Sequence, residues 1–363
     1  MADNIIIGFG AESNGTYTIV KNKEFKISRQ YGILAEYGNY SEFYKHIKNE
    51  IEEYKNSYEI IFVCDKHPDY VSTSLAEEFH CLIPDSKLYK VQHHYAHIAS
   101  VLYENKITEN VIGFVFDGTG YGDDGNSWGG EVLLAGANKY ERCMHIDYVD
   151  QPGSDMVVTE PWRMGISYLV KSNIEYEKFY TGIGKEKVNI IKNMIKNKIN
   201  CPLTSSAGRL FDAVASLSGV CCYTDTPAGA AIALEKIAAK NIYEFYDYEI
   251  KNNSIFFNET IRQIINDLKK DVSSQVISAK FHNTIAKMIF EISIELSKIY
   301  SINKVALSGG CFQNKFLMER IKLNFSKSKL KLFTNINLST TDANISVGQV
   351  FIVLTRNSYN DFF

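Results

Sequence analysis

Apolar residues and glycine-rich turns follow one another in the same order in two separate parts of the chain. An apolar strand is predicted at residues 4–8, and after a polar loop a second strand returns over residues 16–20. Later in the chain, the apolar run 111–116 leads into a glycine loop at 117–122 and a returning strand at 130–136. The pattern therefore predicts two halves that each open with a strand, a loop and a strand.

Helical periodicity is found between the strands. The clearest case is residues 278–300, where Phe281, Ile285 and Met288 begin an apolar series at spacings of three or four residues. Further helices are predicted at 41–54, 93–105, 160–171, 209–218 and 230–240, and further strands at 59–64, 88–92, 144–149, 304–308 and 330–334. The Lys- and Asn-rich stretch 175–200 indicates a solvated helical insertion. Strands that alternate with helices predict an α/β protein.

Length and composition agree with a globular protein of this class. The chain has 363 residues, which is enough for two packed halves with a substantial core. Hydrophobic residues make up 45% and charged residues 22%, so a disordered, collagen-like or coiled-coil chain is excluded. We expect a first half at residues 1–108 and a second half at 109–363 with a helical insertion near 160–300.

Charge, cysteine content and targeting signals restrict the expected partners and cellular compartment of the protein. The 39 basic and 42 acidic residues give a net charge of -3, so nucleic acid is not an expected partner. The apolar runs are far shorter than the roughly 20 residues that cross a bilayer, and the N-terminus carries an acid where a signal peptide is basic. The 7 cysteines form no Cys-x-x-Cys pair. The sequence therefore predicts a cytoplasmic protein without a membrane partner.

The densest group of polar side chains lies at residues 92–97, where a strand is expected to end and a helix to begin. His93 and His97 are four residues apart, so both imidazoles lie on one helix face within reach of one ion. With one carboxylate from elsewhere, such a pair suits Zn²⁺ or Fe²⁺ and leaves coordination positions open. The alternative is that the histidines only pack at the helix start. Asp342 is first of all a first-turn acid of an apolar helix, and only the histidine pair would make it a ligand.

Two glycine-rich segments are candidates for phosphate binding. Segment 117–120 follows an apolar strand, so its amides and the Thr119 hydroxyl can approach phosphate oxygens, although a plain turn is the alternative. Gly309 and Gly310 stand between a strand and a helix, where a helix N-terminus favours an anion. Neither a dinucleotide fingerprint nor a P-loop is present.

Three further side chains are chemical candidates. Arg209 and Asp212 lie three residues apart on one helix face, where the arginine can neutralise a phosphate and the carboxylate can accept from ribose hydroxyls. An ion pair within the helix is the alternative. Cys311 has no basic neighbour in sequence, which favours packing over nucleophilic catalysis.

Taken in order, these segments resemble the C-terminal carbamoyltransferase domain of the hydrogenase maturation factor HypF, and more distantly the TsaD proteins of tRNA threonylcarbamoylation. The resemblance is carried by residues 67–73, 91–100, 116–122, 128–131, 205–213, 281–282, 308–314 and 341–342. It implies the fold of the acetate and sugar kinase, Hsp70 and actin superfamily, in which two ribonuclease-H-like halves enclose a nucleotide.

The resemblance also implies site residues. A divalent metal, Zn or Fe, would be held by His93, His97 and Asp342, and Mg would accompany the nucleotide. Arg209 is the expected catalytic group. The nucleotide contacts fall on Asp117, Gly118, Thr119, Gly120, Asp212, Gly229, Gly309, Gly310 and Asn314.

The activity implied by the resemblance is transfer of a carbamoyl group from carbamoyl-adenylate, an ATP-derived intermediate. The acceptor would be the C-terminal cysteine thiol of a HypE-like partner, in the maturation of the cyanide ligands of nickel–iron hydrogenase. Because the resemblance covers only the last domain of HypF, it implies a separate YrdC-like protein that forms the adenylate.

Two departures from the family pattern leave other functions open. Residues 227–229 replace a Glu-Gly-Gln-like stretch, and the loop 11–15 lacks the lysine typical of HypF. A small-molecule hydroxyl is therefore an alternative acceptor, and a nucleotide-binding module without turnover is an alternative class. A sugar or acid kinase of the same superfamily ranks last, because it gives the histidine pair no role.

Overall fold

The computed structural model describes residues 4–357, which form two mixed β-sheets with helices packed against them. The strands are β1 (Asn4–Gly8), β2 (Thr18–Lys21), β3 (Glu24–Ile27), β4 (Glu59–Asp65), β5 (Lys87–Val91), β6 (Val111–Tyr121), β7 (Ser127–Ala135), β8 (Tyr140–Ile146), β9 (Val149–Asp150), β10 (Leu203–Thr204), β11 (Glu249–Lys251), β12 (Ser254–Phe256), β13 (Lys304–Ser308) and β14 (Lys331–Thr334).

The helices include every one that the periodicity predicts, with shifted ends. They are α1 (Tyr37–Tyr54), α2 (Val71–Leu82), α3 (His93–Glu104), α4 (Met156–Thr159), α5 (Trp162–Lys171), α6 (Glu177–Ile183), α7 (Lys185–Asn197), α8 (Ala207–Leu217), α9 (Gly229–Ile237), α10 (Asn258–Lys269), α11 (Ser274–Tyr300), α12 (Lys315–Phe325) and α13 (Ile345–Asn357). Short 3-10 turns cover Gly310–Gln313 and Asp342–Asn344. None of the helices within the described range is both long and apolar enough to cross a membrane.

The first sheet has the order β3-β2-β1-β4-β5. Strands β1 and β2 pair antiparallel, which confirms the predicted hairpin, and β1, β4 and β5 run parallel. Because parallel strands end at the same edge of a sheet, the last residue of β4, Asp65, lies beside Val91 at the end of β5. This edge leads directly into α3.

The second sheet has the main order β11-β12-β8-β7-β6-β13-β14, with β9 and β10 at its side. Strand β6 pairs antiparallel with β7 and parallel with β13. The glycine loop predicted after residue 116 is a bulge inside β6, because its pairing with β7 breaks between Phe116 and Gly120 and then resumes. The bulge turns residues 117–119 out of the ladder.

Helices α3 and α13 pack against each other between the two sheets, with α13 against β1 and α3 against β6 and β13. Their backbones approach so closely at Gly348 that a Cβ atom there would lie 1.9 Å from the carbonyl oxygen of Ala96. Helix α3, which carries the histidine pair, is thus fixed from both sides. The expected division of the chain at residues 108 and 109 stays a prediction.

The insertion predicted to be solvated at residues 175–200 is only partly so. It forms α6 and α7, and in α7 the side chains of Val188, Ile191 and Ile195 are buried in the core. Their spacing of three and four residues gives one apolar face, while the lysines and asparagines occupy the opposite one. The high Lys and Asn content of this segment therefore predicts more exposure than the structure shows.

Candidate metal and nucleotide site

Helix α3 begins where the first sheet ends, and this junction places two histidines in its first turns. The side chain of Gln92 caps the helix by accepting from the Tyr95 amide at 2.9 Å. His93 and His97 are fully buried, with ring centroids 5.0 Å apart. The four-residue spacing therefore directs both imidazoles to the same point.

Two aspartates from distant parts of the chain meet the histidines there. The His97 Nε2 atom lies 3.3 Å from the Asp117 Oδ2 atom and 3.5 Å from the Asp342 Oδ1 atom. The His93 Nε2 atom lies 3.7 Å from each of the same two oxygens. One donor atom from each of the four residues lies within 4.8 Å of all the others. The bulge in β6 and the 3-10 turn before α13 bring the carboxylates into place.

This donor set fits a divalent ion. A tetrahedral ion with ligands at about 2.0–2.1 Å separates its ligand atoms by roughly 3.3–3.4 Å, close to the separations found here. The His93 Nε2 atom is buried without a hydrogen-bond partner, as expected of a nitrogen that faces an ion. Two imidazoles and two carboxylates suit Zn²⁺ or Fe²⁺. The role of His93, His97 and Asp342 as ligands stays a prediction, and Asp117, which was expected to contact the nucleotide, lies with them as a fourth possible donor.

Burial and neighbouring charges shift the pKa values of His93, His97 and Asp117. Burial lowers the pKa of His93, but the charge of Asp65 and the nearby carboxylates of Asp117 and Asp342 outweigh it and raise the pKa well above the usual value. Burial likewise opposes the raised pKa of His97, which the carboxylates of Asp117 and Asp342 produce. The histidines in turn lower the pKa of Asp117 despite its burial.

Asp65 is a member of the site that sequence reasoning missed. Its Oδ2 atom lies 2.8 Å from the His93 Nδ1 atom, and both side chains are fully buried. The contact orients the ring so that Nε2 faces the other donors. The available signal was sheet order, since Asp65 and His93 follow two parallel strands that are adjacent in space.

A cavity of about 660 Å³, a typical volume for a small-molecule site, opens from the two aspartates. Its walls include six of the expected nucleotide contacts, namely Asp117, Gly118, Thr119, Asp212, Gly310 and Asn314, together with the expected catalytic residue Arg209. The loops of the first sheet contribute Ser13, Asn14, Gly32 and Ile33 to the lining. A second group of lining residues in and around α9, called the far end below, consists of Val158, Pro227, Ala228, Ala231 and Ile232.

Three expected nucleotide contacts do not line this cavity. Gly120 lies against the histidine rings, where an added Cβ atom would come within 2.5 Å of the His94 Cε1 atom. Gly229 packs on Thr224 at the start of α9. Gly309 has a φ of 104°, and a Cβ atom there would lie 2.4 Å from the Phe116 carbonyl oxygen. These three glycines allow neighbouring segments to pack closely, because a Cβ atom at each position would overlap with them.

Asp117 connects the donor cluster to the backbone of the cavity. While its Oδ2 atom faces the histidines, its Oδ1 atom accepts from the Gly118 amide at 2.8 Å and from the Gly310 amide at 3.3 Å. One carboxylate therefore holds the bulge of β6 against the loop after β13. Cys311 in the same loop is kept as a thiol, because burial raises its pKa far above the usual range.

Helix α8 presents a buried charged pair to the cavity. Ser206 caps the helix by accepting from the Arg209 amide, and its hydroxyl lies 2.8 Å from the Gly118 carbonyl oxygen. The Arg209 Nη2 atom lies 2.8 Å from the Asp212 Oδ2 atom, and the Arg209 Nε atom has no hydrogen-bond partner. Burial raises the pKa of Asp212 although Arg209 opposes the shift. Arg209 thus lines the cavity while its Nε atom is buried and unpaired.

Asn314 caps α12 with its side chain rather than pointing freely into the cavity. Its Oδ1 atom accepts from the Leu317 amide, and its Nδ2 atom donates to the His282 Nε2 atom, both at 2.8 Å. The His282 Nδ1 atom faces the Ser278 carbonyl oxygen at 2.7 Å, so this ring is neutral with its proton on Nδ1. Burial lowers the pKa of His282 to about 4.

The sequence and structure of the chain match known carbamoyltransferases. The family model described as "Carbamoyltransferase, Kae1-like Domain, second subdomain" matches residues 113–349, and the "HypF Kae1-like domain" matches residues 2–104. The probable carbamoyltransferase HypF of Methanocaldococcus jannaschii is 33% identical over 98% of this chain and 47% of its own length. A carbamoyltransferase HypF homolog of Cupriavidus necator is 30% identical over 79% of this chain and 76% of its own length.

A crystal structure of full-length HypF in a phosphate- and nucleotide-bound form superposes with a TM-score of 0.89 and 33% identity, covering 100% of this chain and 57% of that one. The match confirms the α/β fold with two sheets. The chain spans about half the length of the M. jannaschii relative. By both family models and by these relatives, the chain belongs to the HypF carbamoyltransferase family, whose Kae1-like region it matches.

Proposed function

We propose that this chain is a metal-dependent carbamoyltransferase that moves the carbamoyl group of carbamoyl-adenylate to the C-terminal cysteine thiol of a HypE-type partner. The observation that carries the proposal is the convergence of His93, His97, Asp117 and Asp342 at one end of a cavity large enough for a nucleotide. The proposal includes a role in hydrogenase maturation, and membership of the HypF carbamoyltransferase family supports it.

The proposed reaction exchanges one bond of the carbamoyl carbon for another. The sulfur–carbon bond forms, the bond from carbon to the phosphate oxygen breaks, and its electron pair leaves with AMP. The thiol proton passes to water. A divalent metal, Zn²⁺ or Fe²⁺, held by His93, His97 and Asp342 would supply a Lewis acid for the carbamoyl oxygen, and Mg²⁺ would accompany the nucleotide.

The residues of the chain bind and orient the adenylate in this proposal. The Arg209 side chain, which lines the cavity, neutralises charge on the phosphate that becomes AMP. The Thr119 hydroxyl and the Gly310 backbone line the same stretch of the cavity. Asp212 accepts from the ribose hydroxyls, and Asn314 holds the loop between β13 and α12 in place. In this proposal a YrdC-like domain or protein forms the carbamoyl-adenylate.

An assay with different acceptors distinguishes the proposed function from its alternatives. The chain is incubated with carbamoyl-adenylate, Zn²⁺ or Fe²⁺, and a peptide that ends in cysteine or, as control, in serine. AMP release together with an S-carbamoylated peptide supports the thiol acceptor. AMP release only with small hydroxyl compounds indicates an O-carbamoyltransferase, and no AMP release with any acceptor indicates a nucleotide-binding module.

A further inference from the structure

Glu104, the last residue of α3, binds the backbone of the loop that leads to Asp342. Its Oε1 atom accepts from the amides of Ile336 at 3.1 Å, Asn337 at 2.6 Å and Leu338 at 3.4 Å. Successive amides that converge on one carboxylate form an anion-binding nest, here filled by a side chain of the protein itself. Core packing does not hold the loop at this point, since Ile336 is 79% exposed, and its next backbone contact is the Thr340 carbonyl oxygen, which accepts from the Gly309 amide at 2.9 Å.

The same carboxylate connects to the His97 ring through buried side chains. Its Oε2 atom accepts from the Asn335 Nδ2 atom at 3.0 Å, and the Asn335 Oδ1 atom accepts from the Ser308 hydroxyl at 3.3 Å. That hydroxyl lies 3.3 Å from the His97 Nδ1 atom. Ser308 is fully buried and Asn335 is 7% exposed. A continuous chain of polar contacts thus joins Glu104 to the nitrogen of His97 that faces away from the donor cluster.

Glu104 is placed so that its side chain contacts both the hydrogen-bond chain to His97 and the loop that leads to Asp342. Two turns of α3, about 10 Å, separate it from His97, and this helix is held rigidly between the two sheets. On the loop side, Asp342 follows only four residues after Leu338. We infer that Glu104 is a positioning residue that holds Asp342 and the His97 ring in a fixed relation to each other. Its effect on metal binding rests on the proposed function.

The test compares Glu104→Gln with Glu109→Gln, a matched charge removal five residues further along the chain. Glu109 pairs with Lys304 at the surface, with its side chain 63% exposed. In Glu104→Gln one of the two acceptor oxygens becomes an amide nitrogen, which cannot accept from the Asn335 Nδ2 atom or the Ile336 amide as Oε2 does. We expect Co²⁺ affinity to fall by about 10- to 100-fold with an altered visible spectrum, while Glu109→Gln stays at the wild-type value.

Hydrogen exchange on the metal-free proteins provides a second readout. Amides of residues 335–342 are expected to exchange faster in Glu104→Gln and unchanged in Glu109→Gln, with wild-type circular dichroism in both. Wild-type exchange and wild-type Co²⁺ affinity in Glu104→Gln would overturn the inference. If the wild-type chain itself binds no Co²⁺ but the exchange still accelerates, the metal site fails and the positioning role stands. Glu104→Asp, which keeps the charge, is expected to restore part of both properties.

Discussion

The two ends of the cavity are built differently. At the donor end, His93 and His97 are fully buried, and each ring nitrogen that faces away from the cluster has a partner, Asp65 or Ser308. At the far end, Pro227 and Ala228 are exposed and Ile232 is 43% exposed.

The difference indicates where the protein fixes the positions of its side chains and where it tolerates different side chains or ligands. Side chains that are oriented before a ligand binds need hydrogen-bond partners, and at the donor end the outward-facing nitrogens of His93 and His97 have them. The far end offers apolar surface, which discriminates weakly between ligands. The chemistry therefore depends on the donor end, and tolerance of substitution is expected at the other.

The largest effect is expected from removal of a donor. His97→Ala and Asp342→Ala each delete one of four convergent atoms, so we expect metal affinity to fall by more than about 100-fold. Metal content after dialysis, measured by elemental analysis, checks this. The control is His80→Ala, which removes a half-buried imidazole bonded to Ser86 on α2. Equal metal content in all four proteins would remove the proposed site.

A smaller loss is expected when an orienting partner is changed and the donors remain. Asp65→Asn keeps the volume of the side chain but weakens its hold on the Nδ1–H group of His93, so we expect a 10- to 100-fold loss of Zn²⁺ affinity. Calorimetric titration measures it. Asp69→Asn, on an exposed position of the following loop, serves as the control and is expected to bind as the wild type. An unchanged Zn²⁺ affinity in Asp65→Asn would mean that Asp65 is not needed to orient the His93 ring.

The sequence predicts much of this end of the cavity for a simple physical reason. The spacing of His93 and His97 is a local property of one helix, so it can be read without knowing the fold. Asp65 becomes visible only when β4 and β5 are known to be neighbours, which is a property of the sheet. The meeting of Asp342 with the histidines was expected from the family resemblance rather than from any pattern.

Glycines were harder to interpret than charged residues. Segment 117–120 predicts phosphate contacts at every position, yet Gly120 lies against the rings of His93 and His94. A glycine admits both a ligand and a neighbouring side chain, and only the packing distinguishes the two. The buried face of α7 is hard to predict for a similar reason. Its many lysines indicate an exposed segment, although three of its apolar residues lie on one face.

An intermediate effect is expected on the pH dependence of stability, from the buried His282, which contacts the cavity-lining Asn314. His282 is neutral in the fold with a pKa of about 4, lowered by burial and by the Arg320 charge, against about 6.5 in an unfolded chain. Between these values the unfolded state binds more protons, so stability falls as pH falls, by up to about 3 kcal/mol. Thermal melts at pH 7 and pH 4.5 measure it. His282→Gln, which can keep both hydrogen bonds, is expected to lose less stability on acidification, and an identical loss in both proteins would contradict this role.

The smallest effect is expected at the far end. Ala228 precedes α9 with a φ of 56°, a left-handed conformation that costs a residue with a Cβ atom roughly 1 kcal/mol. Ala228→Gly is therefore expected to raise the melting temperature by about 1–2 °C without changing Zn²⁺ affinity. Ala233→Gly, inside α9, is the matched control and is expected to lower it, because glycine there only weakens the helix. If Ala228→Gly lowered the melting temperature or altered metal affinity, the far end would be as tightly constrained as the donor end, and the contrast between them would not hold.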